Sequence, residues 1–192
     1  FIAGDYLIVS EDESYYSHGA GFSADIRATE KLNFNLDARV MARENKDASI
    51  LDGFRNRLTV NASYIASDTM QIQLSSVVAT EETKTNIQNN RDYSVNATIN
   101  KTFNAPFNLI KDPLSAGLSF GGSFREYAGA NPTIDPDTTR NDYTLRFSPS
   151  LTIPAGETLA VLISAGFTRV DSNIPNSEYD NISLTIGISK QF

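Results

Sequence analysis

The stretch Leu32 to Arg43 reads LNFNLDARVMAR, and its apolar and polar side chains alternate at almost every step. All even positions are apolar, whereas the odd positions are polar or charged except at Met41. Successive side chains of a β-strand point to opposite faces, so this pattern predicts a strand with one apolar and one polar face. An α-helix would mix the two sets around its surface.

The same period of two recurs along the whole chain. Besides 32–43, it is found in the segments 21–28, 57–64, 70–74, 93–100, 114–120, 143–148, 159–167 and 182–192. A tenth segment, Phe1–Ser10, is apolar but alternates poorly, and we include it because single-chain barrels favour even strand numbers. The sequence therefore predicts an all-β fold, an antiparallel up-and-down β-barrel of about ten strands.

The connections between these segments alternate between short and long. The short ones are 29–31, 67–69, 104–113 and 154–157, and the long ones are 11–17, 44–53, 81–92, 129–142 and 171–180. Acidic residues outnumber basic ones in the long set. Short turns at one end and long loops at the other are typical of barrels that span a membrane.

Composition excludes several classes of protein. The net charge of -7 and the pI near 4.7 argue against nucleic-acid binding, which needs a basic face. There are no cysteines, so neither a disulfide framework nor a thiolate metal site is possible. The mean hydropathy is low, and no run approaches the ~20 apolar residues of a membrane helix. We expect one domain over residues 1–192, and a mature or trimmed form of a longer product, because Phe1 begins without a signal peptide.

Alternation alone fits both a soluble sandwich or lipocalin-like barrel, with its apolar face inside, and a transmembrane barrel with its apolar face in lipid. The polar face carries arginine and almost no lysine, which favours the second, because guanidinium groups suit a crowded polar interior. The predicted lumen-lining residues are Asp25, Arg27, Asp37, Arg39, Arg43, Arg55, Arg57, Arg125 and Arg146. Aromatic residues near the strand ends predict membrane girdles made by Phe34, Tyr64, Phe103, Tyr93, Phe124, Tyr143, Phe167 and Phe192.

The last strand carries a family resemblance. Leu184, Ile186 and Ile188 alternate before the terminal aromatic Phe192, which resembles the C-terminal signal of Gram-negative outer-membrane β-barrel proteins. That family usually has an aromatic or apolar residue two places before the end, where this chain has Lys190. The resemblance implies a bacterial outer-membrane location, contact with the lipid bilayer, and recognition of the last strand by the barrel-assembly machinery.

No catalytic or metal-binding pattern accompanies this architecture. His18 stands in Ser17-His18-Gly19, without the Asp-X-His or His-X-Ser arrangement that barrel proteases and lipid hydrolases would imply, and is interpreted as a rim histidine. Asp135 and Asp137 could offer carboxylates to Ca²⁺, but a solvated acidic loop explains them better. We therefore predict no enzyme, no metal and no cofactor.

Three functions remain open from the sequence. The first is a structural or anchoring barrel whose small lumen is plugged by its own polar side chains. The second is a narrow channel or porin, whose arginines would favour anions although the acidic rim works against them. The third is a surface-interaction role or a subunit role in a larger outer-membrane assembly, with a protein partner at the acidic loops.

Overall fold

A computed structural model describes residues 15–45, 49–105, 112–156 and 158–190. These residues form one antiparallel sheet in which each strand pairs with the next along the chain. Its nine strands are β1 Tyr15–Arg27, β2 Leu32–Asn45, β3 Gly53–Ser67, β4 Met70–Thr83, β5 Asn90–Phe103, β6 Leu114–Tyr127, β7 Asn141–Pro154, β8 Leu159–Ser172 and β9 Tyr179–Lys190. Short 3-10 helices at Ser49–Leu51 and Pro175–Ser177 lie in two connections. None of the helices in these ranges is long and apolar enough to cross a membrane.

The structure confirms the alternating pattern in all nine segments and extends the strands beyond it. β6 was predicted over 114–120 and runs to Tyr127, and β4 was predicted over 70–74 and runs to Thr83. The strands thus have 12 to 15 residues, and several long connections are shorter than predicted. The predicted strand Phe1–Ser10 lies outside the described residues.

Hairpin turns fix the register at the short-turn end. The Leu32 N–H donates to the Thr29 hydroxyl at 3.0 Å, which closes the turn between β1 and β2. Only two residues separate β3 from β4, and a register shift between Ile65 and Ser67 accommodates that tight connection. One irregularity lies within a strand: pairing between β7 and β8 is interrupted beside Pro149, which has no N–H to donate.

Register determines which side chains share a face, because directly opposed residues lie on the same side of the sheet. We call the face that carries Arg39 and Arg57 the polar face, and the opposite one, with Phe22 and Leu58, the apolar face. The strands are also staggered, as they are in barrels. One row of opposed residues runs from the middle of β1 to the last residue of β8, through Gly21, Arg39, Arg57, Ala79, Asp92, Arg125, Asp142 and Ser172.

The described sheet has no packed interior. The buried hydrophobic residues of the described ranges are Ala105, Leu114, Val170 and Ile174. On the apolar face, by contrast, Ile182 is 80% exposed and Ile188 is 75% exposed. Such a continuous apolar surface requires an apolar environment to cover it.

β1 and β9 form the two edges of the described sheet, and no pairing joins them in these ranges. Because every neighbouring pair is antiparallel, β1 and β9 run in the same direction. An antiparallel barrel can therefore close only through a further strand that runs opposite to both, since a bare sheet edge is not tolerated in lipid.

Candidate functional site

The polar face gathers the nine residues that the sequence predicts to line a lumen. Their cross-strand partners place all of them on one side of the sheet: Asp25, Arg27, Asp37, Arg39, Arg43, Arg55, Arg57, Arg125 and Arg146. Whether this side encloses a lumen stays a prediction.

Two arginines face each other across β2 and β3. Arg39 lies directly opposite Arg57, an arrangement of like charges that is destabilising unless a counter-charge is close. Asp37, two residues before Arg39, supplies that charge, with a carboxylate oxygen 2.9 Å from the Arg39 Nε. Arg57 Nε donates to the Thr59 hydroxyl at 3.3 Å and makes no ion pair with a described residue.

Other arginines of this face reach acids through the register. Arg125 pairs with its cross-strand partner Asp92, with 2.9 Å between Nε and the carboxylate. Arg43 lies opposite Gly53 and reaches Glu81 on the strand beyond, at 3.6 Å. A Cβ atom at Gly53 would collide with the Glu82 carbonyl of β4, so the close pairing of β3 with β4 requires glycine at this position.

Four arginines of the polar face remain without an ion pair among the described residues. They are exposed, and they lie on β1, β3 and β7: Arg27, Arg55, Arg57 and Arg146. The Asp25 carboxylate accepts a hydrogen bond from the Asn35 amide at 2.8 Å and makes no ion pair with Arg27, and Arg55 lies opposite Glu81 without an ion pair between the two. The described strands place seven arginines on this face against five acids, Asp25, Asp37, Glu81, Asp92 and Asp142, so the face keeps a small net positive charge.

The polar face differs between its two halves. The half from β1 to β3 carries most of the charges, whereas the half from β6 to β9 is lined mainly by small residues, among them Gly117, Gly121, Ser150, Gly166, Ser183 and Gly187. Between the halves, Ser119 donates to the Asn96 amide oxygen at 3.0 Å. Neighbouring side chains cover three of these glycines, since an added Cβ atom would meet Ser150 Oγ at Gly117, Asn96 Oδ1 at Gly121 and Ser183 Oγ at Gly166. The sequence pattern contained these residues, but only the register shows that they form one surface.

The predicted girdle aromatics of the described strands all lie on the apolar face. Phe34, Tyr64 and Phe103 lie towards the short-turn end, and Tyr93, Phe124 and Tyr143 form one row near the long-loop end. Phe167 is on the same face, but it lies near the middle of β8 opposite Phe147 instead of near the rim. Phe192 lies outside the described residues, so its role as an assembly signal stays a prediction.

Backbone and side-chain amides join the long loops into a continuous rim. The Ala128 N–H donates to the Asn89 carbonyl at 2.9 Å, which links the loops after β4 and β6. The Asn173 amide donates to the Thr139 carbonyl at 2.7 Å and so links the loops after β6 and β8. The described part of the rim is therefore an ordered surface.

Asp52 joins the loop after β2 to the loop after β4. Its carboxylate accepts the Asn45 N–H at 2.6 Å and lies 2.9 Å from the Lys84 ammonium. The Asn45 hydrogen bond, followed by Lys84, lowers the pKa of Asp52 below its ordinary value of 3.8. A lowered carboxyl pKa contributes stability above about pH 3.8, and that stability is lost as the pH falls through the folded-state pKa.

We predict that the Asp52 carboxyl titrates below 3.8 in the folded protein. Carboxyl carbon NMR across pH 2–6, with about ten points, measures it. Lys84→Gln is expected to move the midpoint upward while leaving it below 3.8, because the Asn45 hydrogen bond remains. A parent midpoint at or above 3.8 would contradict the loop geometry.

Catalytic groups do not converge on either face. No set of three or more His, Asp or Glu residues within the described ranges could hold a metal ion. His18 lies within strand β1, not in a loop. Its side chain is exposed, and its cross-strand partner is Ala42. The Asp135 carboxylate accepts the Asp137 N–H at 3.0 Å, so it is occupied in a local turn.

Comparisons with known proteins bear on the fold. No protein-family model and no curated protein matches the sequence. The described fold is similar to the crystal structure of Acinetobacter baumannii OccAB3, a β-barrel, with a TM-score of 0.58 and 16% sequence identity. The match covers 93% of this chain and 49% of OccAB3, so the chain spans about half the length of that barrel. The all-β, up-and-down antiparallel architecture is thus that of an outer-membrane-type β-barrel.

Proposed function

We propose that this chain forms part of the wall of a channel in the bacterial outer membrane. The channel passes small solutes and prefers anions. The observation that carries the proposal is the set of exposed arginines on the polar face without an ion pair among the described residues: Arg27, Arg55, Arg57 and Arg146. Fixed positive charge along a pore wall favours anions. A role without catalysis is part of the same proposal.

Likeness in fold to OccAB3, a porin-type outer-membrane barrel, is in line with the channel. On the described sheet, the Arg39 side chain keeps 51% of its surface exposed and that of Arg125 keeps 44%. The acidic loops oppose anion entry, so we expect the preference to be moderate.

Single-channel recording of the full-length protein in planar bilayers tests this proposal. Stable conductance steps, with a reversal potential displaced towards that of chloride in a KCl gradient, are expected. A protein that inserts and folds but gives no steps would overturn the channel and favour the structural or anchoring role. Heat-modifiable migration on a gel provides the folding control.

A further inference from the structure

The outer edges of β1 and β9 are the unpaired edges of the sheet. Within the described ranges, β1 pairs with β2 alone and β9 with β8 alone. β9 is exposed along almost its whole length, on both faces of the sheet. A free strand edge is not tolerated in lipid, because no water is present to satisfy its N–H and C=O groups. Both edges are therefore surfaces on which further strands must pair.

Strand direction limits what can join the two edges. Every pairing between neighbouring strands is antiparallel, so β1 and β9 run in the same direction. The closing element must begin and end with strands that run the opposite way, a condition that one strand or any odd number of strands can meet. A second copy of these nine strands does not meet it, because its β1 would lie parallel to β9 in the same membrane.

Arginines of the polar face indicate a wide barrel instead of one closed by a single strand. A ten-stranded barrel is ~19 Å across, and side chains from its opposite walls fill the interior. Arg39 on β2 and Arg125 on β6 would lie on opposite walls of such a barrel, yet about half of each side chain is exposed. Their ion pairs are with Asp37 on the same strand and Asp92 on the adjacent strand. Nine of ten strands would already bring the two walls together, so the sheet curves less than a ten-stranded barrel does.

Likeness to OccAB3 agrees with this gentle curvature. The match covers 93% of this chain and 49% of that chain, so the nine strands follow about half of a closed barrel. The other half of OccAB3 is long enough for about as many strands again. Nine further strands satisfy the rule on direction and give an even total of about eighteen.

We propose that a second antiparallel sheet of about nine strands, supplied by the same polypeptide, pairs with the free edges of β1 and β9. The same polypeptide is the source because bacterial barrels of this type are formed by single chains. β1 and β9 then lie on opposite sides of the lumen. The strand that pairs with β9 faces Ile182, Leu184, Ile186 and Ile188 with apolar side chains, and it faces Asp180 with a basic or polar one. The inference rests on the proposed function only in taking this chain as part of a barrel wall.

Distances between two spin labels on the full-length protein in lipid vesicles test the closure. The labels are attached through Phe22→Cys on β1 and Leu184→Cys on β9, since both residues are exposed on the apolar face near the middle of their strands. The 192 residues contain no other cysteine. We expect a separation above ~30 Å, because a barrel of about eighteen strands is ~35 Å across. Closure by one strand would place the two backbones two strand spacings apart, ~10 Å, and would overturn the proposal.

The matched control keeps the label at Phe22 and moves the other label to Leu58 on β3. Phe22, Ala38 and Leu58 are successive cross-strand partners, so this pair is two strand spacings, ~10 Å, apart in either barrel. Equal distances in the two pairs would mean that a single strand closes the barrel. Heat-modifiable migration shows whether each variant folds, and Ala20→Cys replaces Phe22→Cys if the latter does not.

A mixture of two singly labelled proteins tests the source of the closing strands. One protein carries the label at Phe22 and the other at Leu184, and we expect no short distance between them. A distance of ~10 Å between the two molecules would overturn the proposal in favour of closure by a second copy. Conductance is measured separately: a protein that conducts but gives the short distance overturns only the closure, and one that gives the long distance without conductance overturns only the channel.

Discussion

Replacing Val60 with arginine is expected to lower the free energy of unfolding by about 2–4 kcal/mol. Val60 is in the middle of β3 on the apolar face, and 40% of its surface is exposed. A charged side chain there would have to enter the hydrocarbon, which carries its largest penalty near the bilayer midplane. Urea unfolding of the protein in lipid vesicles, followed by heat-modifiable migration, measures the loss.

The adjacent residue provides the control for Val60. Asn61 has the same height on β3 but lies on the polar face, where its amide donates to Asn35 at 3.1 Å. Asn61→Arg should cost only that hydrogen bond, about 1 kcal/mol. If Val60→Arg costs no more than Asn61→Arg, the apolar face is not covered by hydrocarbon, and the membrane-spanning interpretation of the sequence is wrong.

Alternation predicts strands well where one face is uniformly apolar. In β2 the pattern starts at Leu32, and the structure starts the strand at the same residue. In β6 the pattern is lost after Phe120, at Gly121 and Gly122, although the strand continues to Tyr127. Near the long loops, neither face has to be uniformly apolar, so the strand continues without the signal that identifies it. This is why the predicted connections are too long.

The sequence pattern does not predict which charged residues pair with each other. The period of two places Arg39 and Arg57 on polar faces of separate strands, but their direct opposition depends on the register between β2 and β3. Likewise Asp92 was assigned to an acidic loop, whereas it belongs to β5 and pairs with Arg125. Register is a property of turn geometry and of the whole sheet, and one residue of slip would exchange the two faces.

Closure of the sheet, like its register, is a property of the whole sheet that the local sequence pattern does not predict. Alternation predicts how many strands a chain can form, but it does not predict how strongly the sheet curves. The nine described strands match OccAB3 over about half of its length, and their edges β1 and β9 are unpaired within the described ranges. The prediction of about ten strands therefore applies to the strands of this chain. The number of strands around a closed barrel does not follow from it.

Reversing one charge on the polar face should change which ions the channel passes. Arg57 is exposed, has no ion pair among the described residues and lies opposite Arg39. Arg57→Glu replaces one positive charge with one negative charge. In water, a unit charge acts on an ion ~4 Å away with ~1 kcal/mol, so a change of two units raises the energy of chloride by ~2 kcal/mol and lowers that of potassium by ~2 kcal/mol. Since ~1.4 kcal/mol is a factor of ten, we expect the chloride-to-potassium permeability ratio to fall by at least about tenfold, with about a thousandfold as the limit for ions at that distance. Reversal potentials of the full-length protein in a KCl gradient measure the ratio.

The control for Arg57→Glu makes the same change of net charge on the other face. Lys101 lies exposed on the apolar face near the short-turn end of β5, so Lys101→Glu should leave the permeability ratio at the parent value. The Arg57 effect should also weaken as the salt concentration rises, because the screening length falls from ~30 Å at 0.01 M to ~3 Å at 1 M. A ratio that changes equally in both variants would mean that selectivity follows the total charge of the protein, and the polar face would then not be the path of the ions.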